Sequence, residues 1–191
     1  MLDKKYFQTL RVAILSYTTK RREVIKAAGD AQHLSKKAIF ALQRDDSSEA
    51  VKCLSEAEKQ LSGLYKRFKT EKGLTDEGSY LAGLEEWLEA KLFQQFLAGE
   101  KIGQVKCNME IDPDLYISGL CDVPGELLRY AIKSATERKF DIVKKSYDTT
   151  EAIISELVDM DLTGYNRTKF DQAKGALHKL QQIVYETSLK K

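Results

Sequence analysis

Apolar residues recur every three or four positions along most of this chain. The first series runs Phe7, Leu10, Ile14, Tyr17, Arg21, Val24, Ala28, Ala31, Ser35, Ala38 and Leu42, and nine of these eleven residues are apolar. It predicts one helix from Asp3 to Arg44, roughly 60 Å long at 1.5 Å per residue, with Gly29 as its weak point. Asp46 and Glu49 have the spacing of a capping box and predict a second helix running to Lys72. Gly73 to Gly78 lacks periodicity and reads as a loop, followed by a third helix from Ser79 to Ala98. Gly99 to Met109 is irregular, with a little strand character.

Asp112-Pro113 is a helix start, with Asp as N-cap and Pro in the first turn. Pro124 predicts a break or a second start near Cys121–Asp122. One or two helices are expected between Phe140 and Met160, with Gly164 closing that region. A last helix from Asn166 to Leu189 carries Phe170, Ala173, Leu177, Leu180 and Val184 at the same spacing.

Composition narrows the picture. At 191 residues, 42% of them hydrophobic and 31% charged, the chain can build a sizeable core and is not of disordered type. It reads as one domain spanning 1–191. No stretch of 18 or more apolar residues is present, and no N-terminal apolar run resembles a signal peptide. Three cysteines without metal spacing suit a reducing compartment, so the expected location is cytoplasmic. The net charge of +2 says little; its distribution says more. Residues 1–44 carry a net +7 and residues 166–191 a net +4, whereas 73–130 carry a net −7.

Two acid pairs stand in the acidic middle. Glu86 and Glu89 lie three apart in GLEEWLEAKLFQQF, where they interrupt an apolar strip. Neither has a Lys or Arg at three or four residues' distance, so compensation must come from outside the helix. Asp122 and Glu126 lie four apart in YISGLCDVPGELLRYAI, among Leu120, Val123, Leu127, Leu128 and Ile132. Two such pairs on two apolar helices could converge on one divalent cation. The plainer readings are a solvated acidic face for Glu86 and Glu89, an N-cap for Asp122, and an ion pair with Arg129 for Glu126. His33 and His178 are isolated and read as surface or packing residues.

GLCDVPGELLRYAI resembles the signature helix of the translin family, and more closely its translin-associated factor X branch. EWLEAKLFQQF is similar to that branch's acidic helix, SKKAIFALQR to the end of its first helix, and KLQQIVYETSLKK to its C-terminal helix. The resemblance implies an all-α bundle of about seven helices, with long first and last helices, assembled into closed oligomers that are commonly octamers. It also implies binding of single-stranded RNA, with single-stranded DNA as a second candidate. In the factor X branch it implies a metal-dependent endoribonuclease. Carried over by position, Glu86, Glu89, Asp122 and Glu126 are the expected catalytic and metal-binding residues, with Mg²⁺ as cofactor and Mn²⁺ as a substitute. Pro124 departs from the family's pattern. One chain here carries both the acids and the basic stretches, so a homo-oligomer is expected.

The chemistry agrees with that carry-over. Mg²⁺ prefers oxygen ligands, and a bound ion reverses the repulsion that four carboxylates exert on a phosphate backbone. Lys20, Arg21, Arg22, Lys26, Lys36, Lys37 and Arg129 are the expected phosphate contacts. A charge run on a long helix is otherwise a solvated face. The alternative to a nuclease is a non-catalytic, translin-like oligomer that binds single-stranded RNA or DNA and uses the four acids for caps and ion pairs. A di-iron carboxylate bundle requires Glu-x-x-His, which the acid pairs do not offer.

Overall fold

A computed structural model describes residues 1–71 and 73–189 and contains six helices: α1 (Lys4–Gln43), α2 (Ser47–Phe68), α3 (Gly78–Leu97), α4 (Pro113–Thr136), α5 (Phe140–Val158) and α6 (Gly164–Ser188). The class is all-α as expected, with one helix fewer. Two places account for the difference: α4 runs unbroken through Pro124, and the segment expected to hold one or two helices holds α5 alone. No strand forms between α3 and α4 among the described residues. Lys72, Lys190 and Lys191, which enter the expected end of the second helix and the C-terminal motif, lie outside the described residues.

The helix starts follow the sequence. Asp3, Asp46 and Asp112 each accept a backbone N–H of the first turn, and Pro113 follows Asp112. The capping box at Asp46 is half formed. Its carboxylate takes the Glu49 N–H at 3.0 Å, while its own N–H goes to the carbonyl of Ala41 at 2.9 Å.

Pro124 removes a helical hydrogen bond and costs about 3 kcal/mol. Leu120, Val123 and Leu127 are all buried around it, and burying each contributes about 1.5–3 kcal/mol. Burial wins, so the helix continues. Asp122 therefore sits inside α4, and its reading as an N-cap is incorrect; Asp112 holds that role.

The packing has two halves that share a seam. α1 packs on α2 and α3, α4 packs on α5 and α6, and the halves meet where α3 lies against α4. α3 is buried almost all round, with Tyr80, Leu84, Trp87, Leu88, Leu92, Phe93 and Phe96 inside, as expected of a helix without a polar face. Phe93 meets Tyr130 of α4 edge-on at 6.0 Å. The stripe on α1 divides at Val24. From there to Leu42 it is core, whereas Phe7, Leu10, Ile14 and Tyr17 are exposed.

Gly119 sets the spacing of the seam. A Cβ there would lie 3.0 Å from the Leu88 Cβ and 3.1 Å from the Glu85 carbonyl oxygen. Neither atom can swing aside, because both belong to the helix frame of α3. Gly119→Ala is expected to destabilise the chain by about 1–3 kcal/mol, read as a lower urea midpoint, and an unchanged midpoint would show that the seam has slack.

Candidate active site

The seam brings both acid pairs together. The fields of Asp122, Glu86 and Glu126 all act on Glu89, that of Glu126 acts on Asp122, and that of Asp122 acts on Glu86. Glu89 is the deepest, 8% exposed, and no hydrogen bond or ion pair reaches its carboxylate among the described residues. Burial, then the fields of Asp122, Glu86 and Glu126, push its pKa up to about 9. Glu86 is also raised, first by burial, with Lys36 pulling it back from α1 at 3.7 Å. A solvated acidic face is therefore the wrong description of this pair. The compensation that the sequence required from outside the helix arrives as an ion pair for Glu86 alone; Glu89 feels only the weaker field of Lys169.

Asp122 is raised by burial and drawn down by Lys169 of α6, which hydrogen-bonds to it. Glu126 is tied twice. Gln43, at the end of α1, donates to its side chain at 2.7 Å and to its carbonyl at 3.0 Å, and Arg129 pairs with it at 3.0 Å. The Glu126–Arg129 ion pair expected as the plainer reading thus exists inside the acid cluster.

Sequence reasoning missed a fifth carboxylate and a buried cation. Glu85 accepts from Lys169 at 2.6 Å, from Tyr165 at 3.2 Å and from the Ser118 hydroxyl at 2.5 Å. Lys169 is 7% exposed. Burial opposes its charge, and its hydrogen bonds and fields from Asp122 and Glu85 outweigh that, so its pKa lies above the ordinary lysine value. A signal for Lys169 was available. It shares the buried register of Ala173, Ala176 and Leu180 on α6, and a lysine on a buried stripe requires an acidic partner. Glu85 gave none, since it differs from Glu86 only in which neighbour it faces. A pocket of about 700 Å³ touches this cluster through Glu85, Ser118 and Tyr165.

The expected phosphate contacts divide into three groups. Lys20 is paired with Glu71 at 2.7 Å, and Arg21 grips Glu77 through two hydrogen bonds of 2.7 and 3.0 Å. Lys36 and Arg129 flank the acid cluster, and Arg129 also lies over the Phe40 ring at 5.3 Å. Arg22, Lys26 and Lys37 are exposed on α1.

The donor set suits a hard divalent cation. All four expected ligands are carboxylates, and Glu89 is a buried acceptor without a cation of its own. Among the described residues, no group of three or more His, Cys, Asp or Glu side chains is placed to hold a metal ion together. Mg²⁺ does not need one, because it binds through one or two carboxylates and keeps several waters.

Fold and site together define an all-helical protein whose two central helices carry a buried carboxylate cluster. The chain belongs to the translin family, whose model matches residues 19–191. Solved structures share the fold. One described as the AfC3PO–duplex RNA complex superposes with a TM-score of 0.88 at 19% identity, covering 97% of this chain and 98% of that one. Apo-NeC3PO gives 0.86 at 21% identity, with 98% of each chain covered. A crystal structure of AfC3PO gives 0.85 at 21% identity, covering 97% of this chain and 98% of that one. No curated protein matches the chain. Among the described residues, no helix is long and apolar enough to cross a membrane.

Proposed function

We propose that this chain is a Mg²⁺-dependent endoribonuclease of the factor X type, working as a homo-oligomer. The observation that carries this reading is Glu89. A carboxylate this deep, beside three others and without a cation of its own, is costly unless a cation is supplied. Glu86, Glu89, Asp122 and Glu126 would hold Mg²⁺, directly or through water. A bound ion supplies an activated water and neutralises charge on the phosphate. Lys36 and Arg129 stand at the edge of the cluster with about half of each side chain in solvent, at 53% and 49% exposure, and can turn to a phosphate there. The relative solved with duplex RNA makes RNA the first substrate to try, single-stranded and duplex alike.

The test is cleavage of an unstructured RNA and a short duplex with Mg²⁺, with EDTA, and in Asp122→Asn and Glu126→Gln. Cleavage that needs Mg²⁺ and is lost in both variants, with helix content kept, supports the nuclease. Both variants cutting at the parental rate would leave the binding module in its place.

For RNA binding, the free cations on α1 matter more than the paired ones. Replacing Arg22, Lys26 and Lys37 together by Ala should lower the slope of log K against log salt by about 2 for single strands. Replacing Lys20 and Arg21 should change it less, because Glu71 and Glu77 already hold them. Equal effects would mean the RNA path does not distinguish the two sets.

The exposed Phe7, Leu10, Ile14 and Tyr17 form a row of apolar side chains along one stripe of α1, a contiguous exposed apolar surface of the kind that marks an interface, which favours assembly, with an octamer as the expected form. Light scattering at micromolar concentration reads this directly, and a monomer there rejects it.

A further inference from the structure

The seam holds five carboxylates, because Glu85 joins Glu86, Glu89, Asp122 and Glu126, and three cations answer them: Lys36, Arg129 and Lys169. The three differ in kind. Lys36 and Arg129 keep about half of their side chains in water, at 53% and 49% exposure. Lys169 has 8% of its side chain exposed. Its ammonium has three protons to donate, and three acceptors are in place: Glu85 at 2.6 Å, Asp122, and the Ser118 carbonyl at 3.4 Å. Glu85 is itself fixed by Ser118 and Tyr165. The charge is therefore immobile, and it bridges a carboxylate of α3 to one of α4, the linkage that a bridging metal ion makes in a two-metal site.

We propose that Lys169 is the resident cation of this cluster, standing where a second divalent ion would otherwise be required, so that each chain takes one Mg²⁺ or Mn²⁺. This rests on the metal-site reading given above. With a divalent ion in place of the Glu89 proton, all five carboxylates are ionised, and against three cations they leave two negative charges, which that one ion neutralises. A second ion would leave two positive charges in a largely buried seam, against strong mutual repulsion. Asp122 belongs to both sets. One of its oxygens accepts from Lys169, which leaves the carboxylate oriented with its other oxygen free for a ligand. Lys169 is thus a positioning residue that also sets the ion count. Its competing description is a cross-link that pins α6 to α3 and α4, with no bearing on metal.

Counting bound Mn²⁺ by electron paramagnetic resonance titration separates the two, using the full chain at neutral pH. The variants are Lys169→Gln, which keeps a hydrogen-bond donor without the charge, and Lys169→Arg, which keeps the charge. One ion per chain is expected in the parent and in Lys169→Arg. Two are expected in Lys169→Gln, with the first bound at least about tenfold more tightly once a neighbouring positive charge is gone. Glu85→Gln leaves Lys169 in place and serves if Lys169→Gln does not fold. It should bind one ion, about tenfold more weakly. Unchanged stoichiometry and affinity in Lys169→Gln would establish the cross-link and overturn the proposal, as would unchanged affinity in Glu85→Gln. Two ions in the parent would overturn it while leaving the metal site intact. No bound Mn²⁺ in the parent would remove the metal site and this inference together.

Discussion

In EDTA at about pH 8, Glu89→Gln is expected to melt roughly 5–10 °C above the parent chain, and with Mg²⁺ restored to cut RNA at least about a hundredfold more slowly. The two effects share one cause. The Glu89 carboxyl sits in a buried seam and feels Asp122, Glu86 and Glu126, with Lys169 as the weaker opposing influence. Its ordinary pKa of 4.5 rises to about 9. Between those two values the folded chain holds a proton that the unfolded chain has released, so stability falls as pH rises through that window. Beyond about pH 9 the penalty is fully developed and level; below about pH 4.5 it is absent.

A neutral amide removes this pH dependence, and the gain at about pH 8 is on the order of 2–4 kcal/mol for the metal-free protein. Saturating Mg²⁺ should narrow the difference, because the ion stabilises only the parent. Melting curves from pH 5 to 9, with and without Mg²⁺, check both statements. A Glu89→Gln curve parallel to the parent's would mean that Glu89 is not the strained group.

Lys169→Met should have the opposite sign and a comparable size. Removing one partner of a buried ion pair leaves uncompensated charge, which costs about 3–5 kcal/mol. Here two carboxylates lose their partner, with side chains 18% and 30% exposed for Glu85 and Asp122. Solvent screening is therefore incomplete, and the upper half of that range applies. Denaturation by urea reads the loss. Adding Glu85→Gln to Lys169→Met should recover part of it by removing one of the stranded charges, a non-additivity that marks a true pair. A variant as stable as the parent would show that Lys169 and its partners reach water more easily than their burial indicates.

The acid pairs were legible before any fold was known: Glu86 and Glu89 because charge without a local partner on an apolar strip stands out in a sequence, Asp122 and Glu126 because they interrupt a segment otherwise built for burial. Two of their three plainer readings failed for tertiary reasons, and the Glu126–Arg129 ion pair held. The face bearing Glu86 and Glu89 is not solvated, because α4 covers it. Asp122 is not a cap, because the apolar contacts around Pro124 hold α4 together through the proline. Lys20 and Arg21 looked available for phosphate, and their partners Glu71 and Glu77 lie more than fifty residues away in the chain.

By itself the sequence determined the class of fold, the helix starts at Asp3, Asp46 and Asp112, and the four acids. Periodicity, capping and missing i±4 partners are local properties, written within a few residues of where they act. Only the tertiary structure decided how those acids are charged and what keeps them in place. Glu89 is strained because three helices' worth of packing removes water from it, and burial is a property of neighbours rather than of residue type. Lys169 reaches Glu85 across eighty-four residues and Asp122 across forty-seven. The contact exists because Gly119 lets α4 close on α3 and α6 packs on α4, a distance that no spacing along the chain encodes.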